Sequence, residues 1–240
     1  NNSLNSNVSV YGIRTGSGCM VVNNSCSGNS NDTTYTGGTL YAIRTADGCL
    51  IKDNVCNQNS TVNERTDAEI ISTGDNCRVI GNNCSSNSSN GNLAEVYGII
   101  VENDCLVEYN MCNNNSAIHA SGDDAVGIFM DGARNSARNN ECSGNNGKSR
   151  SVGIYAFGDE NSIIENKCTN HSGADFNYGI YVTSSLDYCT LIKNVTGGNT
   201  TRGINISHGD HYCAENVCSD GITAGAGVTT GTGDRSNVEY

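Results

Sequence analysis

Residues 41–56 read YAIRTADGCLIKDNVC, and residues 11–26 read YGIRTGSGCMVVNNSC. Both stretches give an apolar pair, a turn, a Cys, a second apolar stretch, an Asn and a closing Cys. The pattern returns as EIISTGDNCRVIGNNC at 69–84, YGIIVENDCLVEYNMC at 97–112, VGIFMDGARNSARNNEC at 126–142 and VGIYAFGDENSIIENKC at 152–168. YGIYVTSSLDYCTLIKNVT at 178–196 and RGINISHGDHYCAENVC at 202–218 complete eight copies. One column never changes: Asn24, Asn54, Asn82, Asn110, Asn140, Asn166, Asn194 and Asn216. These Asn are 30, 28, 28, 30, 26, 28 and 22 residues apart. The register is kept while a polar Gly/Ser/Asn-rich segment after each copy varies in length, as loops projecting from a repeating coil would.

Within a copy the apolar period is two, which specifies strands. Ile13, Ile43, Ile71, Ile99, Ile128, Ile154, Ile180 and Ile204 form one inward column, with Thr15, Thr45 and Thr73 pointing the same way. Val21, Ile51, Val79, Val107, Ala137, Ile163, Leu191 and Cys213 form a second. Two short strands cannot bury a core alone, but stacked copies paired in parallel about 4.8 Å apart can. The expected fold is all-β: a right-handed parallel β-helix, or β-solenoid, of about eight turns with 22–30 residues per turn. It forms a single domain over 1–240, with repeats at about 11–40, 41–68, 69–96, 97–125, 126–151, 152–177, 178–201 and 202–225. The invariant Asn reads as a corner residue that tolerates a left-handed backbone and stacks its amide on those above and below. Asn29, Asn59, Asn87, Asn115, Asn145, His171 and Asn199 mark the next corner.

Composition agrees. There is no Pro or Trp, only 3 Phe, and 29 Gly among 240 residues, so the core must come from small β-branched side chains and Cys. A net charge of -12 excludes a nucleic-acid partner, which needs a basic face. No apolar run approaches a membrane span, so none is expected. Residue 1 is Asn with no basic-then-apolar leader behind it, which reads as a mature or trimmed product.

The phrases SIIENKCTN with YGIYVTS, and TLIKNVTGGN with RGINIS, resemble the repeat of right-handed parallel β-helix proteins of the pectate-lyase-like superfamily. The resemblance runs from about Tyr11 to Cys218 and implies the fold. It does not choose an activity, because that fold carries lyases, hydrolases, tailspikes, adhesins and surface-layer repeats. This chain departs from the family pattern in its Cys. A usually aliphatic inward position holds Cys26, Cys56, Cys84, Cys112, Cys142 and Cys168, then Thr196 and Cys218. A position usually held by Asn carries Cys19, Cys49, Cys77 and Cys105, then Asn135, Asn161, Cys189 and His211. Stacked buried thiols, disulfides between stacked neighbours and a metal site are the three readings. The total of 13 is odd, so at least one thiol stays free or pairs with another chain.

The outward column of the first strand, Arg14, Arg44, Ser72, Ile100, Phe129, Tyr155, Tyr181 and Asn205, holds no carboxylate. Arg14, Arg44, Tyr155 and Tyr181 are candidates for a sugar platform. Acidic residues gather at the turn between the strands: Asp47, Asp75, Asp104, Asp159, Glu160, Asp187 and Asp210. Asp159, Glu160 and Asp187 are the set that could serve Ca²⁺, the one cofactor considered, and His208, Asp210 and His211 share a turn. Otherwise no catalytic, metal or cofactor constellation stands out. Met20, Val22, Leu50, Ile80, Leu106, Ile164 and Ile192 face outward on the second strand, as a lateral interface would. Sequons at Asn7, Asn31, Asn59 and Asn199 suit a glycosylated protein.

These features favour a non-enzymatic extracellular module at the cell surface. It would be a building block of a layer, sheath, filament or fibre, self-associating end to end or laterally, with cell-surface glycans as a further partner. The alternative is a polysaccharide-binding or polysaccharide-cleaving β-helix, in the manner of lyases, hydrolases or phage tailspikes.

Overall fold

A computed structural model of the chain describes residues 9–31, 38–62, 64–119, 123–173, 175–183, 188–207, 210–224, 229–230 and 238–239. Within them the chain is all-β, without a helix, and winds as a parallel β-solenoid. The first sheet orders Val10–Arg14, Thr39–Arg44, Asp67–Thr73, Val96–Val101, Asp124–Met130, Arg150–Ala156, Phe176–Val182, Arg202–Ile206 and Ile222–Ala224 side by side. The second sheet runs in the same way from Met20–Val22 to Thr229–Thr230. Register follows the repeat: Ile99 pairs with Ile71 and Ile128, and Val107 with Val79 and Ala137.

Two features add to the expected two strands per copy and about eight turns. The coils close through two further short sheets, a six-stranded one over the earlier coils from Ser30–Asn31 to Ser172–Gly173 and a five-stranded one over the later coils from Glu141–Ser143 to Val238–Glu239. The second of these continues toward the N-terminus as single bridges through Met111, Asn83, Val55 and Ser25. In addition, Ile222–Ala224 adds a ninth strand to the first sheet, paired with Arg202–Ile206. Its sequence lacks the repeat's Asn and Cys, but backbone pairing does not require them.

The corners carry a common device. The residues before the invariant Asn column, Asn23, Asp53, Gly81, Tyr109, Asn139, Glu165, Lys193 and Glu215, all have φ between 53° and 66°. The left-handed residue is therefore the one before the Asn, which corrects the expectation that the Asn itself adopts that conformation. That residue turns the chain and leaves the next side chain pointing inward. Gly28, Gln58, Ser86, Asn114, Gly144, Asn170 and Gly198 do the same before the second polar column, and Gly18, Gly48, Asn76, Asp104, Arg134, Glu160 and Tyr188 before the Cys19 column.

Each inward corner residue then accepts the N–H of the coil before it. The backbone N–H and Nδ2 of Asn54 both donate to Oδ1 of Asn82, at 2.9 and 2.9 Å. Asn82 repeats this with Asn110 at 2.8 and 3.0 Å. Asn59 and Asn87 form the same bonds in the second column. In the Cys19 column sulfur takes the acceptor role: Cys49 N–H donates to Cys77 Sγ and Cys77 N–H to Cys105 Sγ, each at 3.3 Å. The column then changes to oxygen, with Cys105 N–H to Asn135 Oδ1 and Asn135 N–H to Asn161 Oδ1, both 2.8 Å. These bonds satisfy the amides that sharp corners would otherwise orphan inside the coil.

The core lies between the sheets. Ile43, Ile71, Ile99, Ile128, Ile154, Ile180 and Ile204 are fully buried, each contributing on the order of 1.5–3 kcal/mol. Opposite them the Cys26 column fills the space beside the residue preceding each Ile. A Cβ on Gly127 would lie 2.9 Å from Cys142 Sγ and 2.6 Å from the Gly153 carbonyl oxygen. The Gly-Ile doublet therefore makes room for sulfur.

Candidate functional site

A doublet of consecutive inward residues, Gly-Ile in most coils but Ala42-Ile43 and Ile70-Ile71 in two, also decides what faces outward. In Val96–Val101 both Gly98 and Ile99 are buried, while Tyr97 and Ile100 on either side are partly exposed. Pairing skips the glycine, Tyr97 matching Val126 and Ile99 matching Ile128. Strict alternation from Ile99 would have turned Tyr97 inward. The break instead gives the outer face a second column that includes Tyr11, Tyr41, Glu69, Tyr97 and Tyr178. Asp67 and Glu95 lie just before it, and Glu102 and Asp131 just after the strands.

A groove of about 280 Å³ is walled by Tyr41, Arg44, Asp67, Glu69, Ser72, Thr73, Glu95, Tyr97, Ile100, Glu102, Phe129 and Asp131. A second recess of about 290 Å³ shares Arg44, Ser72, Thr73 and Glu102 with it and extends to Arg14, Thr45 and Asp47. Burial pushes the carboxyls of Asp67, Glu69, Glu95, Glu102 and Asp131 above their usual range. At Glu69 a Ser72 hydrogen bond and the Arg44 charge pull the other way, while Asp67 and Asp131 push further up. Tyr97 donates its hydroxyl to Glu95. The Arg44 guanidinium lies 4.6 Å from the Tyr41 ring, and that of Arg14 4.9 Å from Tyr11.

Beyond the groove runs a row of rings. Tyr97 and Phe129 are 5.5 Å apart, Phe129 and Tyr155 5.0 Å, Tyr155 and Tyr181 5.0 Å, and Tyr181 and Tyr178 5.1 Å. Interplanar angles of 23° to 32° mean the rings largely cover one another's faces. They offer edges and hydroxyls outward. Arg150, over the Tyr155 ring at 5.6 Å, is tied to Asp124 by a 2.6 Å ion pair. The four residues expected to form a sugar platform thus share one face but not one cluster: Arg44 belongs to the groove, and Tyr155 and Tyr181 to the row.

The acidic turn residues do different work. Asp47 Oδ1 accepts the Asp75 N–H at 3.1 Å, and Asp75 Oδ1 accepts the Asn103 N–H at 2.9 Å, a further ladder. Asp104 is held by both forks of Arg134 at 2.7 Å. Asp159, Glu160 and Asp210 are exposed, and Asp187 and His208 lie outside the described residues. Among the described residues no three His, Cys, Asp or Glu side chains converge as metal ligands. His211 Nδ1 accepts the Cys189 N–H at 3.2 Å and so is a corner residue.

The sequons need correction. Asn31 and Asn59 are 0% exposed and Asn199 5%, so none can carry a glycan in the folded coil, while Asn7 lies outside the described residues. Asn59 spends its amide in the ladder. The sequence signal was a local triplet, whereas acceptor access depends on the corner.

No protein-family model and no curated protein matches this chain. Among solved structures, the crystal structure of the Dettilon tailspike protein (gp208) is similar over 94% of the chain, with 11% identity and a TM-score of 0.36. The chain spans 61% of that structure's length. The chain is thus a β-helix repeat protein, a conclusion that rests on its own stacked parallel sheets.

Proposed function

We propose that the chain is a polysaccharide-binding β-solenoid of the pectate-lyase-like kind, taking an extended glycan along the outer face of its first sheet. One observation carries this reading. Five carboxylates on or beside three consecutive strands, with Tyr41, Tyr97, Phe129 and Arg44, converge on one groove that continues into a row of tyrosine hydroxyls. Carboxylates and phenols are the groups that hydrogen-bond sugar hydroxyls, and the ring edges give apolar contact. Five acids against Arg44 would repel an anionic polymer, so the fitting substrate is a neutral or amino-sugar glycan. Carboxyls held above their usual range are also suited to proton transfer at a glycosidic oxygen.

Affinity electrophoresis through neutral, amino-sugar and uronic-acid polysaccharides tests the reading, with a reducing-end assay run on the same mixtures. Retardation by a neutral or amino-sugar polymer, weakened by Glu69→Gln, supports it. Free migration through all of them, or retention by uronic acids alone, overturns it. New reducing ends abolished by Glu69→Gln or Glu102→Gln would extend binding to cleavage.

A building block of a surface layer or fibre is the second reading. It is favoured by Val55, Met111, Val195 and Val217, which share one outer column and are each 37–44% exposed. Negative-stain microscopy distinguishes it by the presence or absence of ordered polymers.

A further inference from the structure

Cys26, Cys56, Cys84, Cys112, Cys142 and Cys168 occupy one inward position on six successive coils. Cys142 and Cys168 are direct register partners. Bridges between Ser25 and Val55, Val55 and Asn83, Asn83 and Met111, and Met111 and Glu141 align the residues just before Cys26, Cys56, Cys84, Cys112 and Cys142. Parallel strands lie about 4.8 Å apart, inside the Cα range that a disulfide spans. All six are free thiols here, and each is hydrogen-bonded to its neighbours in the stack. Thr196 ends the run.

We propose that this column is an oxidation site that closes into three coil-to-coil disulfides, Cys26–Cys56, Cys84–Cys112 and Cys142–Cys168, stapling successive coils together. This is the nearest-neighbour pairing that uses all six; starting at Cys56 would strand Cys26 and Cys168. Hydrogen bonds donated by Cys26 and Cys84 hold the Cys56 thiol below its ordinary range. Burial pushes Cys142 up, but hydrogen bonds from Cys112 and Cys168 more than offset it. Each pair joined thus draws on a thiol network already in contact. Cys26, 6% exposed, is the least buried of the six and gives a small oxidant its entry.

With hydrogen peroxide, the Cys56 thiolate attacks one oxygen and the O–O bond breaks; a sulfenic acid forms, and the leaving hydroxide takes up the proton that Cys56 gave up on ionising and departs as the first water. The Cys26 sulfur then attacks that sulfur, the S–O bond breaks, and the second water departs with the Cys26 proton. Two thiols lose two electrons and peroxide takes both. The other Cys column is differently committed. Cys49, Cys77 and Cys105 each donate Sγ–H to a carbonyl of the preceding coil at 3.2–3.3 Å and accept an N–H, bonds that oxidation would break.

The folded protein is treated with hydrogen peroxide, alkylated in denaturant without reductant, and analysed by intact mass and tryptic mapping. The expected result is three bridges, a loss of about 2 Da each. Peptide 53–65 should be linked to 15–44, and 139–148 to 168–193. The other seven thiols should be alkylated, and Cys56→Ser should lose the first link alone. Full alkylation of all thirteen, links within the Cys19 column, or the alternative pairs Cys56–Cys84 and Cys112–Cys142 would overturn the proposal.

Discussion

The backbone N–H of Cys105 donates to Oδ1 of Asn135 at 2.8 Å, whereas one coil earlier the N–H of Cys77 donates to Sγ of Cys105 at 3.3 Å. One corner is thus served by sulfur at one end and amide oxygen at the other. Sulfur is the weaker acceptor.

Replacing Cys105 by Asn should therefore stabilise the protein, by about 1 kcal/mol. The new Oδ1 would accept the Cys77 N–H, and its amide would meet the Gly74 carbonyl that now receives the Cys105 thiol. Chemical denaturation measures the change; a lower midpoint would show that sulfur is held there for its volume.

Asn110→Ala should be severe. It removes the acceptor of the Asn82 N–H and amide, and the donor to Val79 carbonyl oxygen, all buried. The Asn82 amide keeps Ile51 and Ile80 carbonyl oxygens as acceptors, but its backbone N–H is orphaned, which costs about 1–3 kcal/mol, seen as a lower unfolding midpoint. Asn24→Ala, at the partly exposed end of the column, should cost less.

Gly127→Ala should cost about 1–3 kcal/mol, because the added methyl meets Cys142 sulfur and the next coil's carbonyl. Pairing it with Cys142→Ala frees only the sulfur side, so thermal melting should recover part of the loss.

Burial lowers His171 to a pKa of about 3, against backbone hydrogen bonds that raise it. The unfolded chain binds this proton first, so its stabilising contribution is complete above 6.5 and falls as pH drops from 6.5 toward 3. His171→Asn, which matches the rest of its column, should flatten thermal stability over that window. An unchanged slope would place the acid sensitivity elsewhere.

Glu69 behaves oppositely. Its pKa is raised by burial, so stability falls as pH rises above 4.5 through the raised value. Glu69→Gln should melt higher than wild type at pH 7, with the gap closing below 4.5, while glycan retention drops. A binding groove kept at a cost in stability gives that combination.

Much of this fold was legible because its determinants are local and repeated. The Ile columns, the Asn column and the spacing of the copies follow from one strand period and one coil length, and stacking brings equivalent positions together. The groove was not legible. Its carboxylates Asp67, Glu69, Glu95, Glu102 and Asp131 occupy no single repeat column, and a period-two reading carried through Gly98 puts Tyr97 on the wrong face.

The sequence by itself determined that the chain coils, which residues stack and where sulfur replaces oxygen, because backbone pairing enforces register between copies. Only the tertiary structure decided which residue at each corner is left-handed and that the sequons at Asn31, Asn59 and Asn199 are sealed. It also decided that acids from three strands share one groove. Those outcomes depend on how a break in strand alternation and a positive-φ turn aim side chains, a three-dimensional direction that residue order does not carry.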